Sequence, residues 1–314
     1  MRLLRTRRPY VHSVHYDHVL GTSLDLRIVA TTPSVAARAE ALLLAEVDRL
    51  ELILSGWSDS SEFARWQTTH AVDVAVSPEL AEVLDMCESW RQRTVGSFDS
   101  AAQAVIQALA TDDQIRVSDV LSTLARNEPR WVVDRANGTA RRLTELAVSL
   151  DAIAKGFIVS SAARCARSVE GVRGVLLNIG GDVQHLGEGD VDVGVSDPFA
   201  PMDNAPPLVV VRIRNAAVAT SGSYRRGFVA NGHSVSHIVD PRSGIPSHRI
   251  ASASVIAPDC ATADALSTAF SVMAPHESVA FANSSPDIGC MLIEDDGTIT
   301  TNASWSDRAL RPRR

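Results

Sequence analysis

The sequence is short of positive charge, of long apolar runs, of paired cysteines and of aromatic residues, and each shortage excludes something. Lysine and arginine number 30 against 37 acidic residues, a formal charge of −7. That balance argues against a general nucleic-acid binder, which needs a basic face. Aromatics are 5% of the chain, and the tryptophans form no ladder with basic residues, so a stacking platform for single-stranded bases is unsupported. No stretch approaches the roughly 20 apolar residues of a membrane span. The opening MRLLRTRRPYVHSVHYDHVLG has positive charge with no apolar run behind it, unlike a secretory or lipoprotein leader. Cys87, Cys165, Cys260 and Cys290 are scattered and form no CxxC pair. Together these features predict a cytoplasmic protein with reduced thiols. Linkers and internal repeats are also missing, so residues 1–314 read as one domain, two-lobed, with flexible arginine-bearing tails (RLLRTRR and RALRPRR).

What is present is a soluble composition, 45% hydrophobic and 21% charged, and a series of local signals. Residues 10–31 alternate around LGTS and predict a strand pair. Thr32-Pro33 supplies a capping hydroxyl and a first-turn proline for a helix ending at Leu54, and Ser77-Pro78 does the same for one reaching about Arg93. Asn137-Gly138 predicts a hairpin. A helix follows over 152–169, with Ser149 or Asp151 as candidate caps. The second half is richer in strands (GVLLNIGGD, VDVGVSD, PLVVVRIR, AAVATSG, VSHIVDP), with helices over 261–273 and 275–282 and a closing hairpin at Asp296-Gly297. The sum is an α+β or α/β architecture of mixed sheets with layered helices.

Five segments place glycine or polar side chains where a plain strand or helix has no need of them. In CATADALSTAF (260–270), Asp264, Ser267 and Thr268 share one helical face. Either the two hydroxyls bond back to their own backbone, or the three side chains offer oxygen to a hard cation. Lys155 in SLDAIAKGFIVSSAA is an exposed first-turn lysine or faces a phosphate at a helix N-terminus. NIGGDVQHLGEG is a tight turn or a close backbone approach, with Asp182 directly after it. Ser221 and Gly222 in ATSGSYRRG form a turn or a phosphate or flavin contact. In SHIVDPRSGIP the turn explains Asp240-Pro241 and Ser243-Gly244 but not His237, a candidate base. His12, His15 and His18 fall on alternating faces of a strand and do not converge on a metal.

The succession AKG, NIGGD, TSGSYRR, HIVDPRSGIP, SVIAPDCATADALST resembles the ApbE family, the FAD:protein FMN transferases, through residues 148–273. VLGT (19–22), DSSEFARW (59–66) and GSFD (96–99) resemble weaker landmarks, so that 10–147 is the more divergent half and 148–306 the motif-bearing one. The resemblance implies an ApbE-like, T-fold-related domain. It also implies a reaction: FAD is bound, its pyrophosphate is split with a divalent cation (Mg²⁺, or Ca²⁺ or Mn²⁺), and FMN moves to a Thr or Ser of a partner flavoprotein. Some members hydrolyse FAD to FMN and AMP instead, and a flavin carrier that keeps the fold without the chemistry is a third reading. By position, Asp264, Thr268, Ser267 and the carbonyl of Ala152 would hold the cation. Lys155 and Val239 would touch FAD, with Ser149, Leu20, Ser221 and Gly222 at neighbouring family positions. His237 or Asp182 would take the acceptor's proton. The chain departs from the family pattern in carrying Ser149 for a usual aspartate, Leu20 for a usual methionine, and FDSA at 98–101 for FDPT.

Overall fold

Thr32 opens the first long helix as its sequence predicts. Its Oγ1 accepts the Val35 N–H at 3.3 Å, and α1 (Pro33–Leu54) buries Ala36, Ala39, Leu43, Val47, Leu50 and Leu54 at helical spacing. The computed structural model describes residues 8–111, 114–200, 205–222, 227–230, 233–236, 238–247 and 249–310. Of the expected flexible tails, residues 1–7 and 311–314 fall outside these residues, as does His237, whereas Ala309–Leu310 of RALRPRR are ordered in a strand pair.

Before α1 lie β1 (Tyr10–Val19) and β2 (Thr22–Ala30). After it come α2 (Glu62–Gln67), β3 (Asp73–Ala75), α3 (Pro78–Arg93), α4 (Ala102–Ala110), α5 (Gln114–Ala125), β4 (Trp131–Asp134) and β5 (Thr139–Arg142). The motif-bearing half supplies α6 (Ala154–Arg167), β6 (Val172–Ile179), β7 (Asp182–Gly187), β8 (Val191–Val195), β9 (Val209–Ile213), β10 (Ala217–Gly222), β11 (Gly227–Ala230) and β12 (His233–Ser236). It closes with β13 (Ile250–Ala257), α7 (Cys260–Phe270), α8 (Pro275–Asn283), β14 (Gly289–Glu294), β15 (Ile299–Thr301), α9 (Ala303–Ser306) and β16 (Ala309–Leu310).

Eight strands form the central sheet in the order β1-β2-β6-β7-β10-β13-β14-β15. Every strand pair among the described residues is antiparallel, which makes the fold α+β. One face of the sheet carries α1, α6 and α7, and the side chains between them form one apolar core. That core runs from Leu24 through Trp66 and Trp131, in the lobe built on β3-β5-β4, to Leu292, so the two halves of the chain share it. The opposite face packs Val183, Val218, Ile256, Met291 and Trp305 against the small sheet β16-β9-β8. No described helix is long and apolar enough to cross a membrane.

The sheet also joins motifs far apart in sequence. The β6–β7 turn is Gly180-Gly181, with φ of +61° and +97°, the two-residue geometry that favours glycine. The Gly180 N–H donates to the Ser23 carbonyl at 3.1 Å, and a Cβ at 180 would lie 2.7 Å from Thr22 Cγ2. VLGT therefore sits against the glycines that precede Asp182.

Candidate active site

The site begins with a helix that does not cap itself. The sequence predicts a start near Ala152 capped by Ser149 or Asp151, but α6 starts at Ala154, and Ile153 before it has φ −152° and no capping side chain. Ser149 Oγ is taken locally, accepting the Asp151 N–H at 3.1 Å. The cap comes from α7 instead: Asp264 Oδ2 accepts the Gly156 N–H at 3.1 Å. In a regular helix that N–H would donate to the carbonyl four residues back, which is Ala152. No described backbone N–H donates to the Ala152 carbonyl, two residues before the start of α6. Gly156 makes the approach possible. A Cβ there would meet the Cys260 carbonyl well inside van der Waals contact and lie 2.8 Å from Asp264 Cβ.

Lys155 joins the same group. Its Nζ lies 2.8 Å from Asp182 Oδ2, the lysine being one third exposed and the carboxylate 3%. The pair is close but poorly aligned, since Asp182 Oδ2 accepts no hydrogen bond of good geometry. Burial pushes Asp182 above the usual carboxylate range, and Lys155 pulls it back only in part. Asp264 is pushed up to about 8, by burial first and then by the charge of Asp182, against the pull of Lys155 and the Gly156 N–H. Burial works against the Lys155 ammonium, and the two carboxylates more than offset it, so its pKa stands above the ordinary lysine value. Two buried carboxylates thus share one ammonium, and ionising both would leave the group one positive charge short.

The hydroxyls of α7 divide. Ser267 is fully buried and its Oγ donates to the Asp264 carbonyl at 3.0 Å, which is the self-bonding arrangement. Its one proton being used there, the 2.7 Å contact with Ser221 Oγ has Ser221 as donor. Thr268 is only half-buried and faces Ser221 Oγ at 3.3 Å. Asp264, Thr268 and the Ala152 carbonyl keep the most acceptor capacity for a cation, and Ser267 Oγ keeps one lone pair. Carboxylate, hydroxyl and carbonyl oxygens, few in number, suit Mg²⁺, which keeps room for water and phosphate. Among the described residues no three His, Cys, Asp or Glu side chains converge as a metal cluster.

The chain matches the model described as "ApbE family" over residues 20–292. The chain belongs to the ApbE family. It is 29% identical to the FAD:protein FMN transferase of Treponema pallidum (strain Nichols), covering 92% of this chain and 86% of the relative. With the FAD:protein FMN transferase of Vibrio cholerae serotype O1 it shares 27%, over 91% and 89%. Its fold is that of the ApbE protein of Thermotoga maritima (TM-score 0.81, 24% identity, covering 96% of this chain and 100% of that one). It also matches the apo flavinyl transferase ApbE of Pseudomonas stutzeri (TM-score 0.77, 19% identity, 97% and 98%).

The remaining ApbE landmarks make contacts of their own. Ser149 N–H donates to the Ser100 carbonyl at 2.9 Å, which ties SLDA to FDSA. Leu20, at φ +51°, shapes the turn that abuts Gly180. Val239 bridges Pro246 and sits in the apolar core, and the following turn closes as expected, Gly244 N–H donating to the Asp240 carbonyl at 2.8 Å. Gly222 ends β10, next to Ser221. His12 pairs with Glu40 and His15 with Asp25, both at 2.7 Å, on opposite faces of β1. Sequence reasoning gave no role to Gly156, Asp259, Ser160 or Gln184. A glycine inside a helical run and an aspartate before CATADAL were readable signals. Ser160 and Gln184 carry none.

Proposed function

We propose that this chain is an FAD:protein FMN transferase that cleaves the FAD pyrophosphate, attaches FMN to a Thr or Ser of a partner flavoprotein and releases AMP, with Mg²⁺ at Asp264, Thr268 and the Ala152 carbonyl. The observation that carries the reading is the Gly156-to-Asp264 bond, which joins a buried carboxylate of α7 to the start of α6, where no described backbone N–H claims the Ala152 carbonyl. A divalent cation held there supplies Lewis-acid polarisation of the pyrophosphate oxygens. Lys155, partly exposed and held by Asp182, offers its ammonium to the same phosphates. The acceptor hydroxyl attacks the phosphorus of the FMN half, the bond to the AMP oxygen breaks, and the hydroxyl proton passes to a base. Asp182 is 2% exposed and engaged with Lys155, so its part is to hold that lysine, and His237 is the proposed base.

The test mixes the protein, FAD and Mg²⁺ with and without candidate acceptor flavoproteins, and mass spectrometry follows FMN on the acceptor and free AMP. Asp264→Ala should abolish cleavage while circular dichroism stays unchanged; full activity in that variant would remove the cation assignment. AMP formed without any acceptor would favour the second reading, an FAD pyrophosphatase, which Lys155 and Asp264 would serve equally well.

A further inference from the structure

Two buried polar side chains with no part in the reaction above converge on a single backbone atom. Ser160, on α6, and Gln184, on β7, are each 2% exposed. The Cys260 N–H donates to Ser160 Oγ at 2.8 Å and to Gln184 Oε1 at 3.0 Å, while Ser160 Oγ–H donates to Gln184 Oε1 at 3.1 Å. Gln184 Nε2 reaches the Pro258 carbonyl at 3.4 Å, so one amide straddles the chain as it enters α7. Cys260 is the first residue of that helix, and its N–H has no partner within it. Asp259 serves a different donor, accepting the Thr262 N–H.

The spacing gives these bonds a second meaning. Ser160 stands four residues after Gly156 on α6, and Asp264 four residues after Cys260 on α7. The contacts 160–260 and 156–264 are therefore two rungs, one helical turn apart, of a single α6–α7 seam. Gln184 also lies two residues after Asp182 on the same face of β7. One strand face thus holds Lys155 with one residue and the start of α7 with the other.

We propose that Gln184 and Ser160 are positioning residues that fix the register of α7 on α6 and so hold Asp264 against the start of α6 in the geometry that binds the cation. The proposal rests on the cation site proposed above. Groups that orient metal-binding side chains typically contribute 10- to 100-fold in affinity.

Mn²⁺ alone, titrated into the full chain and read by loss of the free-ion EPR signal, separates the cases. Gln184→Met keeps volume and removes both polar atoms; it should weaken Mn²⁺ binding about ten-fold or more. In turnover its kcat should recover as Mg²⁺ is raised, with KM for FAD unchanged. Ser160→Ala should behave alike and covers the case in which Gln184→Met fails to fold. Wild-type Mn²⁺ affinity in both variants, with only a lower melting temperature, would overturn the proposal by reducing the pair to structural glue. If Asp264→Ala binds Mn²⁺ as wild type does, the cation site itself is wrong, an outcome distinct from failure of the clamp alone.

Discussion

Alanine in place of a helical glycine ordinarily adds about 1 kcal/mol of stability, and at position 156 the sign should reverse. The added Cβ has no space between the Cys260 carbonyl and Asp264, both held by the body of α7. Gly156→Ala should therefore cost about 1–3 kcal/mol, visible as a lower urea midpoint at unchanged slope. A midpoint at or above wild type would mean that the α6–α7 seam yields. A second single-residue test lies in the other lobe, where Arg130 Nη2 meets Asp99 Oδ2 at 2.6 Å with both side chains 3% exposed. Asp99→Ala leaves a buried guanidinium without its counter-charge and should cost about 3–5 kcal/mol. Urea unfolding again decides, and a loss under 1 kcal/mol would show that the Glu128 and Leu124 carbonyls suffice for Arg130.

At the scale of elements, start signals were legible and their absence misleads. Thr32-Pro33 and Ser77-Pro78 sit where α1 and α3 begin, and both cap hydroxyls make their bonds. No reading of the sequence found α4, because Ala101 at its start offers no capping side chain, nor α5 after it. Asp259 caps α7, its Oδ1 accepting the Thr262 N–H at 2.9 Å; Asp259→Ala should cost about 1 kcal/mol by thermal melting. On β7, His185 is buried and its Nδ1 accepts the Asn215 N–H at 3.3 Å, which requires the neutral ring. Burial, with Arg214 next, holds its pKa below the ordinary 6.5. Below pH 6.5 the unfolded chain then binds a proton that the native chain refuses, so stability rises with pH through that window and is lost as pH falls. His185→Gln should flatten the dependence of the melting temperature on pH between about 6.5 and 5. An unchanged slope would assign the acid loss to other groups.

At the scale of the molecule, β7, β10, β13 and β14 each contribute to the core on both faces of the central sheet. Neither face can therefore be lost while the other stays intact. Fluorescence from Trp66 and Trp131 on one core and from Trp305 on the other, isolated in single-tryptophan variants, should report one coincident urea transition. Two separated midpoints would show the faces to be independent units. What the sequence determined by itself is local: caps, turn glycines, strand alternation, and the clustering of Asp264, Ser267 and Thr268 on one helical turn. These rest on interactions among residues a few positions apart, so the signal survives in a short window. Tertiary structure alone decided that Gly156 surrenders its N–H to Asp264, 108 positions away, that Ser221 of β10 meets both Ser267 and Thr268, and that Gln184 reaches Cys260 across 76. Those contacts depend on which faces of α6, α7 and β7 meet, and that is set by burying the shared core rather than by any residue's neighbours in the chain.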